Sequence, residues 1–132
     1  MSVVFVDLQE TDNPDNGKRF GAMSDIRHFL RSLEKRPPFL FELENEAGAT
    51  LTVGLAGTVG CVQFTPVRGK PPYQMAFTEE CVEAETFLEF LAGNTPTPIS
   101  RRYCVPIKQV EDIILEFVKN GLPSPHTSWE EI

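Results

Sequence analysis

Residues 107–129 read IKQVEDIILEFVKNGLPSPHTSW. Val110, Ile113, Ile114 and Phe117 recur at i, i+3, i+4 and i+7, which places them on one face of an α-helix. Pro106 stands just ahead, where its missing N–H costs nothing and its fixed φ suits a first turn. Glu111 and Asp112 lie in the first half and Lys119 in the last turn, partly as the helix dipole prefers. Gly121 is expected to end the helix in the left-handed conformation, with Leu122 folding back onto Phe117 or Val118. Pro123 and Pro125 bar continuation. Trp129, the single tryptophan, follows on a short tether and is expected to dock on the same apolar layer.

Working back from this helix, residues 39–105 read as strands. Phe39, Phe41 and Leu43 alternate with Leu40, Glu42 and Glu44, which gives one dry face and one that grows wet. Asn45–Gly48 is a hairpin turn, and Leu51, Val53 and Leu55 answer on the next strand. Gly57 and Gly60 mark another tight connection. Cys61–Thr65 makes a third strand with Val62 and Phe64 inward. Residues 66–72 form a proline- and glycine-bearing loop carrying Arg68 and Lys70. Tyr73–Phe77 makes a fourth strand, with Tyr73, Met75 and Phe77 on one side. For residues 79–91 a helix competes with a strand, because Cys81, Glu85 and Leu88 share a helical face. Phe87–Leu91 is read as strand. Gly93-Asn94 then turns the chain, and Thr97–Val105 pairs back as an edge strand interrupted by Pro98.

At the other end, Val3–Leu8 reads as a short strand, and Asp12-Asn13-Pro14-Asp15-Asn16-Gly17 as a loop with strong turn chemistry. Ser24 is expected to cap a helix running to about Lys35, with Ile26, Phe29, Leu30 and Leu33 buried and Pro37-Pro38 stopping it. The expected fold is therefore α+β: an antiparallel sheet of about five to six strands, with an N-terminal and a C-terminal helix packed on one face. The 132 residues form one domain in this reading. Such a chain buries roughly two-thirds of its unfolded surface and needs neither disulfide nor metal.

Three scattered cysteines, Cys61, Cys81 and Cys104, suit a reduced compartment. No leader or membrane-length apolar run is apparent, so cytoplasmic residence without membrane attachment is expected. The formal net charge of −7 disfavours direct nucleic-acid binding. Five glutamates (Glu79, Glu80, Glu83, Glu85 and Glu89) fall within eleven residues that hold no basic side chain. Such a run is ordinarily a solvated face. It is also a surface that speeds encounter with a basic partner.

Chemistry is sparse. Two histidines and three dispersed cysteines offer no zinc-ligand spacing. Thiol catalysis would need Cys81 beside His126 or Cys104 beside His28. Gly57-Thr58-Val59-Gly60 lacks the Lys-Ser/Thr of a phosphate loop, and no GxSxG elbow occurs. His28, beside Arg27 and Arg31, reads as a surface residue, and His126 as a loop residue bonded locally. The expectation is a non-enzyme with no cofactor, no metal and no catalytic residue. A small ligand-binding or regulatory module, using the loop from Arg68 to Tyr73, is the alternative, and a cysteine enzyme a third.

Gly93-Asn94, Pro98-Ile99, Val105-Pro106-Ile107, Phe117-Val118-Lys119-Asn120-Gly121, Pro123-Ser124-Pro125 and Ser128-Trp129 together resemble a bacterial immunity family. It is the first-numbered Imm family of polymorphic toxin systems, whose members commonly accompany nucleic-acid deaminase toxins. Leu51-Thr52-Val53-Gly54-Leu55 and its glycine turn add to the likeness, which spans Ser24 to Trp129 and leaves residues 1–20 outside. The resemblance implies a protein without chemistry of its own that binds a cognate, basic toxin domain and occludes its active site. These motif residues are structural, so the expected partner-binding residues come from the acidic run: Glu79, Glu80, Glu83 and Glu85.

Overall fold

The computed structural model describes residues 2–69, 71–78 and 86–132. In chain order its strands are β1 (Val3–Asp7), β2 (Arg19–Phe20), β3 (Phe39–Asn45), β4 (Thr50–Ala56), β5 (Val59–Thr65), β6 (Gln74–Ala76), β7 (Phe87–Ala92), β8 (Thr95–Ser100), β9 (Val105–Pro106) and β10 (Trp129–Glu131). Helix α1 spans Met23–Leu33 and α2 spans Ile107–Asn120.

The strands join in one sheet, ordered β10-β6-β5-β4-β3-β1-β2. The β7–β8 hairpin and β9 attach off that path. Pairings among the described residues are antiparallel except for one parallel contact, Phe39 with Leu91.

Period-two alternation divides the sheet's side chains between two faces. Phe5, Phe39, Phe41, Leu43, Leu51, Val53, Leu55, Val62 and Phe64 point toward the helices and pack with Ile26, Leu30 and Leu33 of α1 and Val110, Ile113, Ile114 and Phe117 of α2. Aromatic rings tie this layer together. Phe29 of α1 meets Phe5 edge-on at 4.8 Å and stacks on Phe20 at 4.7 Å, while Phe64 meets Phe117 at 6.2 Å. Such contacts add about 0.5–1.5 kcal/mol each beyond area burial. Trp129 packs against the same layer, and its indole N–H donates to the Ser124 carbonyl at 2.9 Å.

Gly121 ends α2 at φ 74°, and its N–H donates to the Phe117 carbonyl. Gly93 and Asn94 both take positive φ, 57° and 64°, the signature of the two-residue hairpin turn that joins β7 to β8.

The expected sheet of five to six strands with both helices on one face is corrected. Among the described residues the sheet has ten strands, and its second face carries structure of its own. The β7–β8 hairpin lies across that face and buries Phe90 with Leu40, Cys61, Met75 and Cys104. Phe90 fits because β4 has glycine beneath it: a Cβ on Gly54 would lie 2.6 Å from the Phe90 ring. The uncounted strands β2, β9 and β10 are two or three residues long, too short for alternation to register.

Local details also differ. Ala22, not Ser24, stands at the N-cap of α1, with no side-chain cap. Leu122 remains 60% exposed instead of folding back. Met75 belongs to the second cluster, whereas Ala76 is the β6 residue in the helix-side core. A 3₁₀ turn at Arg101–Tyr103 separates β8 from β9, so residues 97–105 are not one strand.

Asp7 anchors the N-terminal loop. Its buried carboxylate accepts the N–H groups of Gln9 and Glu10, the Asn13 amide and the Arg36 guanidinium at 2.7–2.9 Å. Arg36 in turn lies over the Phe39 ring at 3.6 Å. Burial alone would raise the Asp7 pKa; Arg36 and the three amides reverse this and hold it below the ordinary value.

Candidate functional site

The register assigns the residues of the second face row by row. One row runs Val6, Glu42, Thr52, Gln63, Met75 and Glu130 across β1, β3, β4, β5, β6 and β10. The next runs Val4, Glu44, Thr50 and Thr65. A third, Leu40, Gly54 and Cys61, lies under the hairpin. The roof therefore covers one end of the face, and two carboxylates stand at the open end on a floor of valine, threonine and glutamine.

Glu42 is half-buried and Glu44 exposed. Burial, and secondarily the charge of Glu44, pushes the Glu42 carboxyl above its ordinary pKa. Neither side chain has a cation partner among the described residues. A guanidinium or ammonium arriving here would relieve both the repulsion and the desolvation.

At the same end of the sheet, on the helix side, lies an apolar groove of ≈ 410 Å³. It is lined by the β3–β4 turn at Ala47 and Ala49, by Phe64, Pro66 and Val67 after β5, and by Leu122 beyond α2. Val67 is 46% exposed. Asn45 shapes the turn, its side-chain oxygen accepting from the N–H groups of Ala47 and Ala49 at 3.0 Å. Glu44 and Thr65 immediately precede the groove residues Asn45 and Pro66, so the groove and the open carboxylate row share one end of the sheet. Residues of alternate parity face opposite ways, so the groove opens on the helix side and the carboxylates on the other: they are two separate features at one end of the sheet.

The glutamates named from sequence, Glu79, Glu80, Glu83 and Glu85, lie outside the described residues, as does Cys81. The flanking residues are anchored close together: Thr78 N–H donates to the Arg102 carbonyl, and Arg101 N–H donates to the Thr86 carbonyl.

The thiol pairings considered from sequence fare differently. Cys104 sits in the cluster beneath the hairpin, while His28 belongs to α1 and lines a cleft with Lys18 and Arg19, so the two are not brought together. Cys61 is buried and its thiol is pushed up to about 12, first by burial and then by Cys104. His126 lies in a cleft with Asp112 and Glu116, its N–H donating to the Ser124 hydroxyl. Among the described residues no group of His, Cys, Asp and Glu is arranged to hold a metal ion, and no helix is long and apolar enough to cross a membrane.

Glu42 and Glu44 were missed as site residues although the signal was present. Their alternation with Phe41 and Leu43 put them on the wet face, and a wet face reads as solvated by default. The groove had no sequence signal, because it joins residues from three separate stretches.

No protein-family model matches the chain, and no curated protein matches it. Among solved structures it is similar to the crystal structure of a hypothetical protein from Neisseria gonorrhoeae, with a TM-score of 0.54 and 19% identity. The match covers 94% of this chain and 91% of that one. The likeness is one of fold.

Proposed function

We propose that this protein is an immunity-type inhibitor that binds a basic toxin domain, a nucleic-acid deaminase by the resemblance of its C-terminal motif, and occludes its active site without chemistry of its own. The observation that supports the reading is the pair of carboxylates, Glu42 and Glu44, which stand on an open sheet face with no cation partner among the described residues. A domain that handles nucleic acid presents clustered positive charge, and an acidic surface meets that charge as phosphates would. Charge of this kind governs the speed and orientation of encounter. The acidic run at Glu79, Glu80, Glu83 and Glu85 adds to the same potential. The proposal places the protein in the cytoplasm, where a producing cell needs protection.

The test is to mix the purified chain with the C-terminal domain encoded by the gene immediately upstream. A one-to-one complex that abolishes that domain's turnover is expected. A neighbour that neither binds nor loses activity overturns the proposal. Reversing Glu79, Glu80, Glu83 and Glu85 to lysine should slow association and flatten its salt dependence.

A further inference from the structure

Two of the three cysteines, Cys61 and Cys104, stand at the end of one strand pair. Strand β9 pairs antiparallel with β5, Val59 opposite Pro106 and Gly60 opposite Val105. One further step of that register sets Cys61 opposite Cys104. Both belong to the same small cluster under the hairpin, 2% and 9% exposed. Directly opposed residues of an antiparallel pair have Cα atoms about 4.5–5.5 Å apart, within the span of about 4.4–6.8 Å that a disulfide bridges. The Cys61 sulfur now rests in the notch left by Gly54, where an added Cβ would lie 2.8 Å from it.

What the bond would fasten is informative. Cys104 follows the 3₁₀ turn directly: its N–H donates to the Arg101 carbonyl at 3.0 Å and its thiol contacts the Ser100 carbonyl at 3.6 Å. That turn also receives Thr78 and presents an N–H to Thr86, and β9 leads straight into α2. The short β9, two residues long, is the link between them and the sheet.

We propose that Cys61 and Cys104 are a redox-responsive dithiol, whose oxidation to a cross-strand disulfide fastens the Arg101–Tyr103 turn and the start of α2 to β5. The oxidant is a small-molecule disulfide such as oxidised glutathione. Cys104, the less buried sulfur, attacks as thiolate and releases one glutathione thiolate, forming a mixed disulfide. Cys61 then displaces the second glutathione, its thiol proton passing to that leaving sulfur. The protein dithiol loses two electrons and the glutathione disulfide gains them. The burial and high pKa of Cys61 make this second step slow. The inference is independent of the inhibitory reading.

The test uses the folded full-length chain and its Cys81→Ser variant, each incubated with oxidised glutathione without denaturant and mapped by peptide mass. A Cys61–Cys104 cross-link is expected in both, with two fewer free thiols and a thermal midpoint raised by about 5–10 °C. Reduction by dithiothreitol should reverse the shift. Persistence of the mixed disulfide on Cys104, pairing of either cysteine with Cys81 instead, or two thiols that stay free after prolonged incubation would each overturn it.

Discussion

One sheet presents two unlike faces. On the helix side, Phe, Leu, Val and Ile from the central strands and both helices close into a continuous core. On the other side, five buried residues gather beneath one hairpin, and the remaining floor is left to Glu42, Glu44 and their polar neighbours. The same strands build both, since residues of opposite parity on β3 face opposite ways. The difference separates two jobs along a single backbone. Helix-side positions set whether the chain folds, while open-face positions can change chemistry at little cost to stability. That freedom is what a binding surface requires.

The contrast makes graded predictions. Phe41→Ala empties a fully buried helix-side position and should cost about 3–5 kcal/mol, read as a shift in the urea unfolding midpoint. A cost near zero would mean that the helix-side core does not govern folding. Asp7→Asn should cost about 3 kcal/mol, because it removes the buried and closer of the two carboxylates that hold the Arg36 guanidinium, leaving only Glu10 at 3.6 Å. This effect carries a pH signature. The Asp7 pKa lies below its unfolded value near 3.8, so its stabilisation is complete above that value and is lost as pH falls through the depressed folded pKa. Wild type and variant should therefore converge in acid.

Gly54→Ala probes the roofed part of the second face. The new methyl meets Phe90 and the Cys61 sulfur, and overpacking of this kind costs about 1–3 kcal/mol. Hydrogen exchange should quicken in β7 and β8 more than in β3, because the hairpin must lift. Uniform quickening would show that the two faces are one cooperative unit.

Glu34→Gln has an effect whose size depends on pH. Burial, then a hydrogen bond and charge from Glu111, push the Glu34 carboxyl up to about 7, against the opposing charge of Arg31. The folded state thus holds a proton that the unfolded state releases near 4.5. The resulting stabilisation is full below that value and lost as pH rises through 7. The glutamine variant should melt higher than wild type at pH 8 and match it near pH 5. An equal difference at both would deny the carboxyl pair between α1 and α2.

Much of the helix-side face was legible in the sequence. The 3.6-residue spacing of Val110, Ile113, Ile114 and Phe117, the alternation of Phe39, Phe41 and Leu43, and the Gly93-Asn94 turn are local signals, and local signals survive folding. The second face was less legible because its features are contacts between distant residues. Nothing near Gly54 announces that Phe90 will lie over it, and nothing near Leu122 announces Val67. The strand count failed for a similar reason: β2, β9 and β10 are two or three residues long and exist only because another strand stands ready to pair with them. Glu42 and Glu44 were visible but carried no mark separating a binding face from a solvated one. The geometry adds the partial burial of Glu42 on that open face.

The decisive measurement is made on the Glu42→Lys, Glu44→Lys double variant, comparing its urea midpoint and its association rate with the upstream-encoded domain against those of wild type. The two-face account predicts a midpoint within about 0.5 kcal/mol of wild type and association slowed about tenfold or more at low salt. A variant that unfolds more readily yet associates at the wild-type rate would contradict it.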